Sequence, residues 1–135
     1  MRIVSTKAAN KMILGVGIDI IETERVAEKI AKENGFREYV FSKAEINYCE
    51  SKVNKAEHYA VRFAAKEALL KAMGTGISAD FTLKEIEISH DKLGKPSFSF
   101  SGKTEMIIKT KGISKIHVSL SHQKSMACAS VVIEK

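Results

Sequence analysis

The sequence predicts an α+β fold in which helices pack on an antiparallel sheet, and three observations support this class. The helix-like segments lie mainly in the first half of the chain, whereas the strand-like segments are separated by short turns. One long helical segment is apolar or small on nearly every side, which indicates a buried helix at the centre of the fold. The chain has 135 residues and no repeat, low-complexity tract or linker, so one domain is expected.

The first predicted element is a strand at about residues 13–20, an apolar run that is rich in β-branched residues. A helix is expected to begin near Thr23 and to stop at residues 34–35, an Asn-Gly pair that is typical of helix ends. A capping-box pattern that starts at Ser42 predicts a short second helix.

Asn54 is expected to cap the long central helix, and Gly74 is expected to end it. The remaining predicted elements are, in order, a strand at 82–89, a turn at 91–96 that includes the sole proline, a strand at 97–100, a short helix at about 104–111, and two final strands at 116–120 and 126–133.

The central helix contains an acid and a base one turn apart. Glu67 and Lys71 are four residues apart and therefore share one face, among neighbours that are expected to be buried. Half-buried charges are costly unless they are paired with each other or bound to a ligand or metal. This segment alone is consistent with an internal salt bridge and with a functional site.

A second acid, Asp19, lies near the end of the first predicted strand. A carboxylate there is poorly suited to packing and well suited to binding a cation, although it would also suit a cap for the helix that follows. Gly15 and Gly17 in the same strand leave room for another backbone or a ligand to approach closely.

Together these segments resemble the holo-acyl-carrier-protein synthases, a class of phosphopantetheinyl transferases. The family has a strand that ends in Gly-Ile/Val-Gly-Ile/Leu-Asp-Ile and a helix with Arg-Phe-Ala-Ala-Lys-Glu-Ala that ends in Gly-Thr-Gly. Both patterns occur here, at residues 15–20 and 62–76. The sequence VSLSH at 118–122 and the turn at 91–96 are also similar to the family.

The resemblance begins at about Met12, so residues 12–135 are expected to form the phosphopantetheinyl transferase domain, with the fold of that family. Residues 1–11 are expected to be either an upstream start or a remnant of cloning, and they are assigned no function. The family also implies a homotrimer with active sites between subunits.

The resemblance implies transfer of 4′-phosphopantetheine from coenzyme A to a serine of apo acyl carrier protein, for fatty acid biosynthesis. Adenosine 3′,5′-bisphosphate would be the other product. Asp19 and Glu67 match the Mg²⁺ ligands of the family. Lys71 matches the family's phosphate-binding lysine and would stabilise the leaving bisphosphate. Glu67, directly or through a metal-bound water, is the candidate that accepts the serine proton.

Further positions match residues that contact coenzyme A in the family. Arg62 would hold the nucleotide phosphates, although its position also suits a surface salt bridge. Gly74 and Gly76 would let the backbone pass close to the cofactor, although they also suit a helix end and a turn. Gly94 and Pro96 lie in a turn that the family uses near the adenosine, although this segment would also suit a simple hairpin loop.

His122 matches a histidine that contacts the nucleotide across a subunit boundary, although a histidine after a strand is more often a surface residue. His117 is a weaker candidate, and nothing in the sequence suggests a functional role for His58 or His90. Arg25, on the first predicted helix, resembles the arginine that docks the acidic recognition helix of the carrier protein.

The net charge of +6 predicts an anionic partner, and an acidic carrier protein or a polyphosphate cofactor would account for it. Nucleic acid is disfavoured because the chain has no Lys/Arg block, 7% aromatic residues and no Trp. No apolar run approaches the roughly 20 residues of a membrane span, and the first residues do not resemble a signal peptide. Cys49 and Cys128 are too few for a disulfide framework, so a cytoplasmic location is expected.

Two alternative functions stay open. One is a basic binding module for a nucleotide or RNA, in which Asp19 and Glu67 have purely structural roles. The other is a related transferase that serves a different carrier, such as one from polyketide synthesis. The short length favours the fatty acid type by analogy.

Overall fold

A computed structural model describes residues 12–75 and 80–135 of the chain. Its helices and strands are, in chain order, β1 (Ile13–Glu22), α1 (Thr23–Ala31), α2 (Phe36–Val40), α3 (Lys43–Glu50), α4 (Lys55–Met73), β2 (Ile86–His90), β3 (Pro96–Phe100), α5 (Gly102–Thr110), β4 (Lys115–His122) and β5 (Met126–Glu134). A short 3₁₀ turn precedes β2. The combination of helices and antiparallel strands confirms the predicted α+β class.

The described strands form two antiparallel sheets. β5 lies between β1 and β4 in a three-stranded sheet, and β2 pairs with β3 in a separate two-stranded sheet. α4 packs on the three-stranded sheet, mainly against β1 and β5. Its side chains Ala64, Ala68 and Leu69 are fully buried. The predicted central helix is therefore confirmed.

β1 and α4 lie so close together that two positions of β1 admit only glycine. A β-carbon on Gly15 would overlap the carbonyl oxygen of Ala72, and one on Gly17 would overlap the carbonyl oxygen of Ala68. The close approach that the sequence predicts at these glycines is confirmed, and the approaching backbone is α4. As a result, the strand that contains Asp19 lies directly against the helix that contains Arg62, Glu67 and Lys71.

The helix boundaries largely follow the sequence signals. The Ser42 hydroxyl accepts a hydrogen bond from the Glu45 N–H, and the Glu45 carboxylate accepts one from the Ser42 N–H, so the capping box is complete. Asn54 precedes α4 as predicted, but its side chain makes no capping hydrogen bond to the helix. Gly74 ends α4 with a φ of +74°, a conformation that favours glycine.

Three parts of the chain differ from the sequence-based expectation. The sequence does not predict α2, because its five residues are too few to display a helical period. The strand expected from residue 82 begins only at Ile86, since a 3₁₀ turn occupies the preceding residues. Pro96 begins β3, opposite His90, rather than lying in the turn; the first residue of a strand tolerates proline.

A buried ion pair joins α4 to its neighbours. Lys66 is fully buried. Its ammonium donates to Glu45 Oε1 at 2.6 Å and to the carbonyl oxygens of Val40 and Leu83 at 2.7 and 3.0 Å. Glu45 Oε2 accepts a hydrogen bond from the Ile88 N–H at 3.0 Å. Burial lowers the pKa of Lys66, and Glu45 opposes this shift. A single carboxylate therefore contacts α3, α4 and β2.

Lys66→Met is expected to lower the free energy of unfolding by about 3 kcal/mol, because it leaves the buried Glu45 carboxylate without its counter-charge. Urea denaturation followed by circular dichroism measures the loss. Lys109→Met is the matched control, since Lys109 is exposed and pairs with Glu105 on α5; its loss should cost less than about 1 kcal/mol. Equal effects of the two substitutions would contradict a special role for the buried pair.

Candidate active site

β1 and α4 bring Asp19 and Lys71 into direct contact. Asp19 lies on the same face of β1 as the two glycines, because alternate residues of a strand share a face. That face meets α4, where the Lys71 ammonium donates to Asp19 Oδ1 at 2.9 Å and to the Ile18 carbonyl oxygen at 3.1 Å. The alternative role of Asp19 as a helix cap is wrong, because Glu22 occupies the N-cap position of α1.

Glu67 lies one helical turn before Lys71, but the expected alternative of a salt bridge between them is wrong, because Lys71 pairs with Asp19. Glu67 Oε1 is buried and has no hydrogen-bond partner within the described residues. Burial raises the pKa of Glu67 and Asp19 raises it further, whereas Lys71 and Lys29 lower it. Such a carboxylate is costly for folding, which favours a role in ligand binding over one in packing.

The two carboxylates fit a hard divalent cation such as Mg²⁺. Within residues 12–75 and 80–135, no group of three or more His, Cys, Asp and Glu side chains is arranged to hold a metal. Mg²⁺ does not need such a group, since it is usually bound by one or two carboxylates together with substrate phosphates and water. The unsatisfied oxygen of Glu67 and the partly accessible carboxylate of Asp19 provide suitable donors.

A cleft of about 400 Å³ lies between α4, the β2–β3 turn and β4. Four predicted cofactor contacts line it: Arg62, Gly94, Pro96 and His122. These residues come from three separate parts of the chain, so the fold brings together what the sequence only suggested one by one. A second cavity, of about 440 Å³ between α1, α2 and the start of α4, contains none of the predicted site residues.

Arg62 forms part of the cleft wall and is only 1% exposed. It donates a hydrogen bond to the His58 carbonyl oxygen at 3.2 Å, and its guanidinium lies 4.4 Å from the centre of the Tyr48 ring. Its Nε has no hydrogen-bond partner, and no carboxylate in the described part of the chain lies within ion-pair distance. The surface salt bridge considered for Arg62 is therefore wrong, and a buried, unpaired cation favours binding of an anion.

His122 ends β4 beside the first turn of α4. Its Nδ1 lies 2.9 Å from Glu57 Oε1, and its ring centre lies 5.4 Å from that of His58. This hydrogen bond lowers the pKa of Glu57. His117 instead pairs with Glu134, with 2.6 Å between Nε2 and Oε2, on the opposite face of β4. The stronger histidine candidate thus lies in the cleft and the weaker one lies outside it.

From the sequence, no role is assigned to three residues with ring side chains that line the cleft: Tyr48, His58 and His90. His58 precedes Arg62 by four residues, so the helical period places both on one face of α4 and could have identified it. His90 directly precedes the turn that contains two predicted cofactor contacts. Tyr48 comes from α3, whose approach to α4 depends on tertiary packing. Both histidines thus line the same cleft as the four predicted cofactor contacts, although the sequence suggested no role for either.

The glycines at the end of α4 have a structural role that does not depend on a cofactor. The Gly74 N–H donates to carbonyl oxygens of the last helical turn, and its positive φ ends the helix, so the helix-end role is confirmed. Contact of Gly74 with a cofactor stays a prediction. Gly76 lies outside the described residues.

Arg25 is exposed on α1. Lys29 follows it by one turn on the same helix face, and its ammonium lies 5.5 Å from the centre of the Phe36 ring and 5.9 Å from that of Phe63. Lys29 is close enough to Glu67 to lower its pKa. A basic face of α1, consisting of Arg25 and Lys29, therefore borders the carboxylate site.

A family model described as the 4′-phosphopantetheinyl transferase superfamily matches residues 15–130. The chain is 48% identical over 126 residues to a holo-[acyl-carrier-protein] synthase of Cytophaga hutchinsonii, and the match covers 92% of this chain and 99% of that protein. It is 44% identical over 124 residues to the corresponding synthase of Syntrophus aciditrophicus, with coverage of 91% and 97%.

Solved structures of such synthases have the same fold. The structure from Neisseria meningitidis matches with a TM-score of 0.85 and 34% identity, over 92% of this chain and all of that one. The structure from Bacillus anthracis str. Ames, a complex with CoA (3′,5′-ADP), matches with a TM-score of 0.76 and 37% identity, over 92% and 98% of the two chains. The chain therefore belongs to the 4′-phosphopantetheinyl transferase superfamily and, within it, to the holo-[acyl-carrier-protein] synthases.

Proposed function

We propose that this protein transfers 4′-phosphopantetheine from coenzyme A to a serine of apo acyl carrier protein, for fatty acid biosynthesis. The observation that most directly supports the proposal is the buried Glu67 oxygen, which lacks a partner among the described residues and lies beside a second carboxylate, Asp19. The relatives named above are synthases of this kind.

The reaction is a displacement at phosphorus. The serine oxygen forms a bond to the pantetheine-linked phosphorus of coenzyme A, and the bond from that phosphorus to the bridging oxygen breaks. The nucleotide then leaves as adenosine 3′,5′-bisphosphate. The protein must accept the serine proton, align the hydroxyl and stabilise the leaving oxygen.

Glu67, directly or through a metal-bound water, is the candidate that accepts the serine proton, because it is a half-buried carboxylate whose Oε1 has no hydrogen-bond partner among the described residues. Lys71 is the candidate that stabilises the leaving oxygen. Its side chain is 53% exposed, so it has room to turn from Asp19 toward a bound phosphate. Arg62 and His122 would hold the nucleotide phosphates in the cleft.

Asp19 and Glu67 would hold Mg²⁺, which supplies positive charge to the pyrophosphate oxygens when it is bound. Gly94 and Pro96 would place the backbone of the β2–β3 turn near the adenosine. These assignments divide the site into a carboxylate part at the β1–α4 contact and a nucleotide part in the cleft.

Intact mass spectrometry of an apo acyl carrier protein tests the proposal after incubation with this protein, coenzyme A and Mg²⁺, with and without EDTA. We expect the carrier to gain the mass of one phosphopantetheine, and EDTA to abolish the gain. Carriers of fatty acid and polyketide type should both be tried, because the better substrate identifies the class that is served. A binding module would be favoured instead if no carrier gained mass and if the Asp19→Ala protein still bound the nucleotide.

The outer face of β1 supports the proposed homotrimer. Val16, Ile18 and Ile20 point away from α4 and are 64%, 67% and 65% exposed. Exposed apolar patches of this kind mark association surfaces in soluble proteins. Sedimentation is expected to show a trimer, and a monomer with full activity would refute a site shared between subunits.

Arg25→Glu is expected to weaken docking of the acidic carrier, raising its KM about tenfold or more, because a like charge replaces an attractive one. Binding of coenzyme A should change little, and calorimetry measures it separately. Lys111→Glu is the control, since Lys111 is an exposed residue that follows α5. An equal loss of carrier and coenzyme A binding in Arg25→Glu would contradict the docking role.

We also propose a cytoplasmic location. Cys49 and Cys128 are free thiols in the structure, as expected for a reducing compartment. Among the helices that the structure describes, none has both the length and the apolar character needed to cross a bilayer.

A further inference from the structure

The described residues that line the cleft include two basic side chains and no carboxylate. Arg62 and Lys95 both line it. Two nearby carboxylates raise the pKa of its histidines, and each already has a hydrogen-bond partner. Glu57 pairs with His122, and Asp91 accepts hydrogen bonds from backbone N–H groups of its own turn. An anion is therefore the ligand that this cleft is suited to bind.

Four aromatic rings line this cleft in a row. The ring centres of His122 and His58 are 5.4 Å apart, and those of His58 and Tyr48 are 5.6 Å apart. The Tyr48 ring stacks on that of His90, with 6.1 Å between centres. The row therefore places three imidazoles at one anion-binding surface, although the sequence analysis assigned a role only to His122.

His58 and His90 are poorly protonated in the free protein. Partial removal from water lowers the pKa of each, and the charge of Arg62 lowers both further. The remaining charged groups that influence them are His122, Lys52 and Glu57 for His58, and Asp91 for His90. Near pH 7 both imidazoles are therefore largely neutral, and each can still gain a proton.

We propose that His58 and His90 bind the phosphates of the nucleotide part of coenzyme A as protonated imidazoles, so that nucleotide binding takes up protons from solvent. This inference rests on the proposed function, because it concerns the same cofactor. A bound phosphate offsets the charge of Arg62, and its own negative charge favours the protonated imidazoles and so counters the effect of burial. Each imidazolium can then donate an N–H in a charge-assisted hydrogen bond to a phosphate oxygen.

The direction of the pH dependence of nucleotide binding follows from the proton uptake. Since the bound state holds more protons than the free state, the affinity for the nucleotide should rise as the pH falls from about 8 toward 6. The rise should stop where the ligand's own phosphates, with a second pKa of about 6, become protonated. His117 pairs with Glu134 on the other face of β4 and should not contribute.

Isothermal titration calorimetry of adenosine 3′,5′-bisphosphate, in several buffers of different ionisation enthalpy, counts the protons taken up. We expect net uptake by the wild-type protein and less uptake by His58→Gln and by His90→Gln. At the acidic end of the range, each variant should bind about tenfold more weakly. His117→Gln is the matched control and should behave as the wild type.

Nuclear magnetic resonance of the histidine rings, in the wild-type protein with and without the bisphosphate, gives an answer that does not depend on how the variants fold. The pKa of both His58 and His90 should rise on binding. Unchanged ring pKa values, or unchanged proton uptake in both variants, would overturn the inference even if the wild type transfers phosphopantetheine. No binding by the wild type, together with no transfer to any carrier, would overturn the proposed function as well.

Discussion

Glu67→Gln is expected to lower phosphopantetheine transfer about a thousandfold or more while leaving the protein at least as stable as the wild type. The amide has nearly the same shape but cannot accept the serine proton and is a much weaker ligand for Mg²⁺. It also removes an ionised, partly buried group whose Oε1 has no hydrogen-bond partner in the described structure. Loss of activity together with a gain in stability would show that the Glu67 carboxylate serves catalysis and not the stability of the fold.

The stability gain should depend on pH in a definite direction. Burial raises the pKa of Glu67 in the folded protein, so the folded state binds the proton more tightly than the unfolded chain does. The ionised carboxylate therefore lowers the free energy of unfolding by its full amount at neutral pH. This loss disappears below about pH 4, where Glu67 is protonated in both the folded and the unfolded state. The advantage of Glu67→Gln should vanish over the same range.

Transfer rates by mass spectrometry, together with urea denaturation at several pH values, test both parts. Glu105→Gln makes the same chemical change on α5, where Glu105 pairs with Lys109 at the surface. It should leave transfer unchanged and alter stability little. A marked loss of stability in Glu67→Gln, with transfer retained, would show that Glu67 has a structural role instead.

Gly17→Ala is expected to lower the free energy of unfolding by more than about 4 kcal/mol, at the upper end of single substitutions. The new β-carbon would overlap the Ala68 carbonyl oxygen of α4. A backbone oxygen within a helix cannot turn aside as a flexible side chain can, so the strand or the helix must shift. Since a domain of this size has only about 5–15 kcal/mol of stability, much of the protein would unfold on mild heating.

Thermal and urea denaturation measure this effect. Ser97→Ala is the control, because Ser97 is an exposed residue of β3 in the separate two-stranded sheet, and its substitution should change stability by less than about 0.5 kcal/mol. Any Gly17→Ala protein that folds should also transfer poorly, since the shift would move Asp19 away from Lys71. A stable and fully active variant would contradict the close packing of β1 on α4.

The sequence was sufficient to predict that Asp19, Glu67 and Lys71 belong to one site, but it could not predict which of them pair with each other. The helical period relates Glu67 to Lys71, whereas the contact between Lys71 and Asp19 depends on how a strand and a distant helix pack. Gly15 and Gly17 let β1 pack closely on α4. The sequence indicates only that these glycines leave room for a neighbour, and it does not identify α4 as that neighbour. The family and the fold class were therefore accessible from the sequence, whereas the ion-pair partners were not, and the catalytic roles of these residues stay predictions.

The buried charge on α4 is a second example. Lys66 stands between Ala65 and Glu67 in the sequence, whereas its partner, Glu45, belongs to a different helix. The capping-box pattern correctly assigned a role to Glu45, but it gave no sign that the same carboxylate also binds Lys66. Long-range pairing of this kind has no periodic signature, so only the folded structure reveals it.

Glu45 has a consequence for how the protein can change during evolution. Its two oxygens accept hydrogen bonds from the Ser42 N–H, the Ile88 N–H and the Lys66 ammonium. Losing the carboxylate leaves the Ser42 and Ile88 N–H groups without this acceptor and leaves the buried Lys66 ammonium without its counter-charge, all at once. Tolerance to substitution is therefore unequal around this cluster, and position 45 should accept fewer substitutions than position 42 or 88.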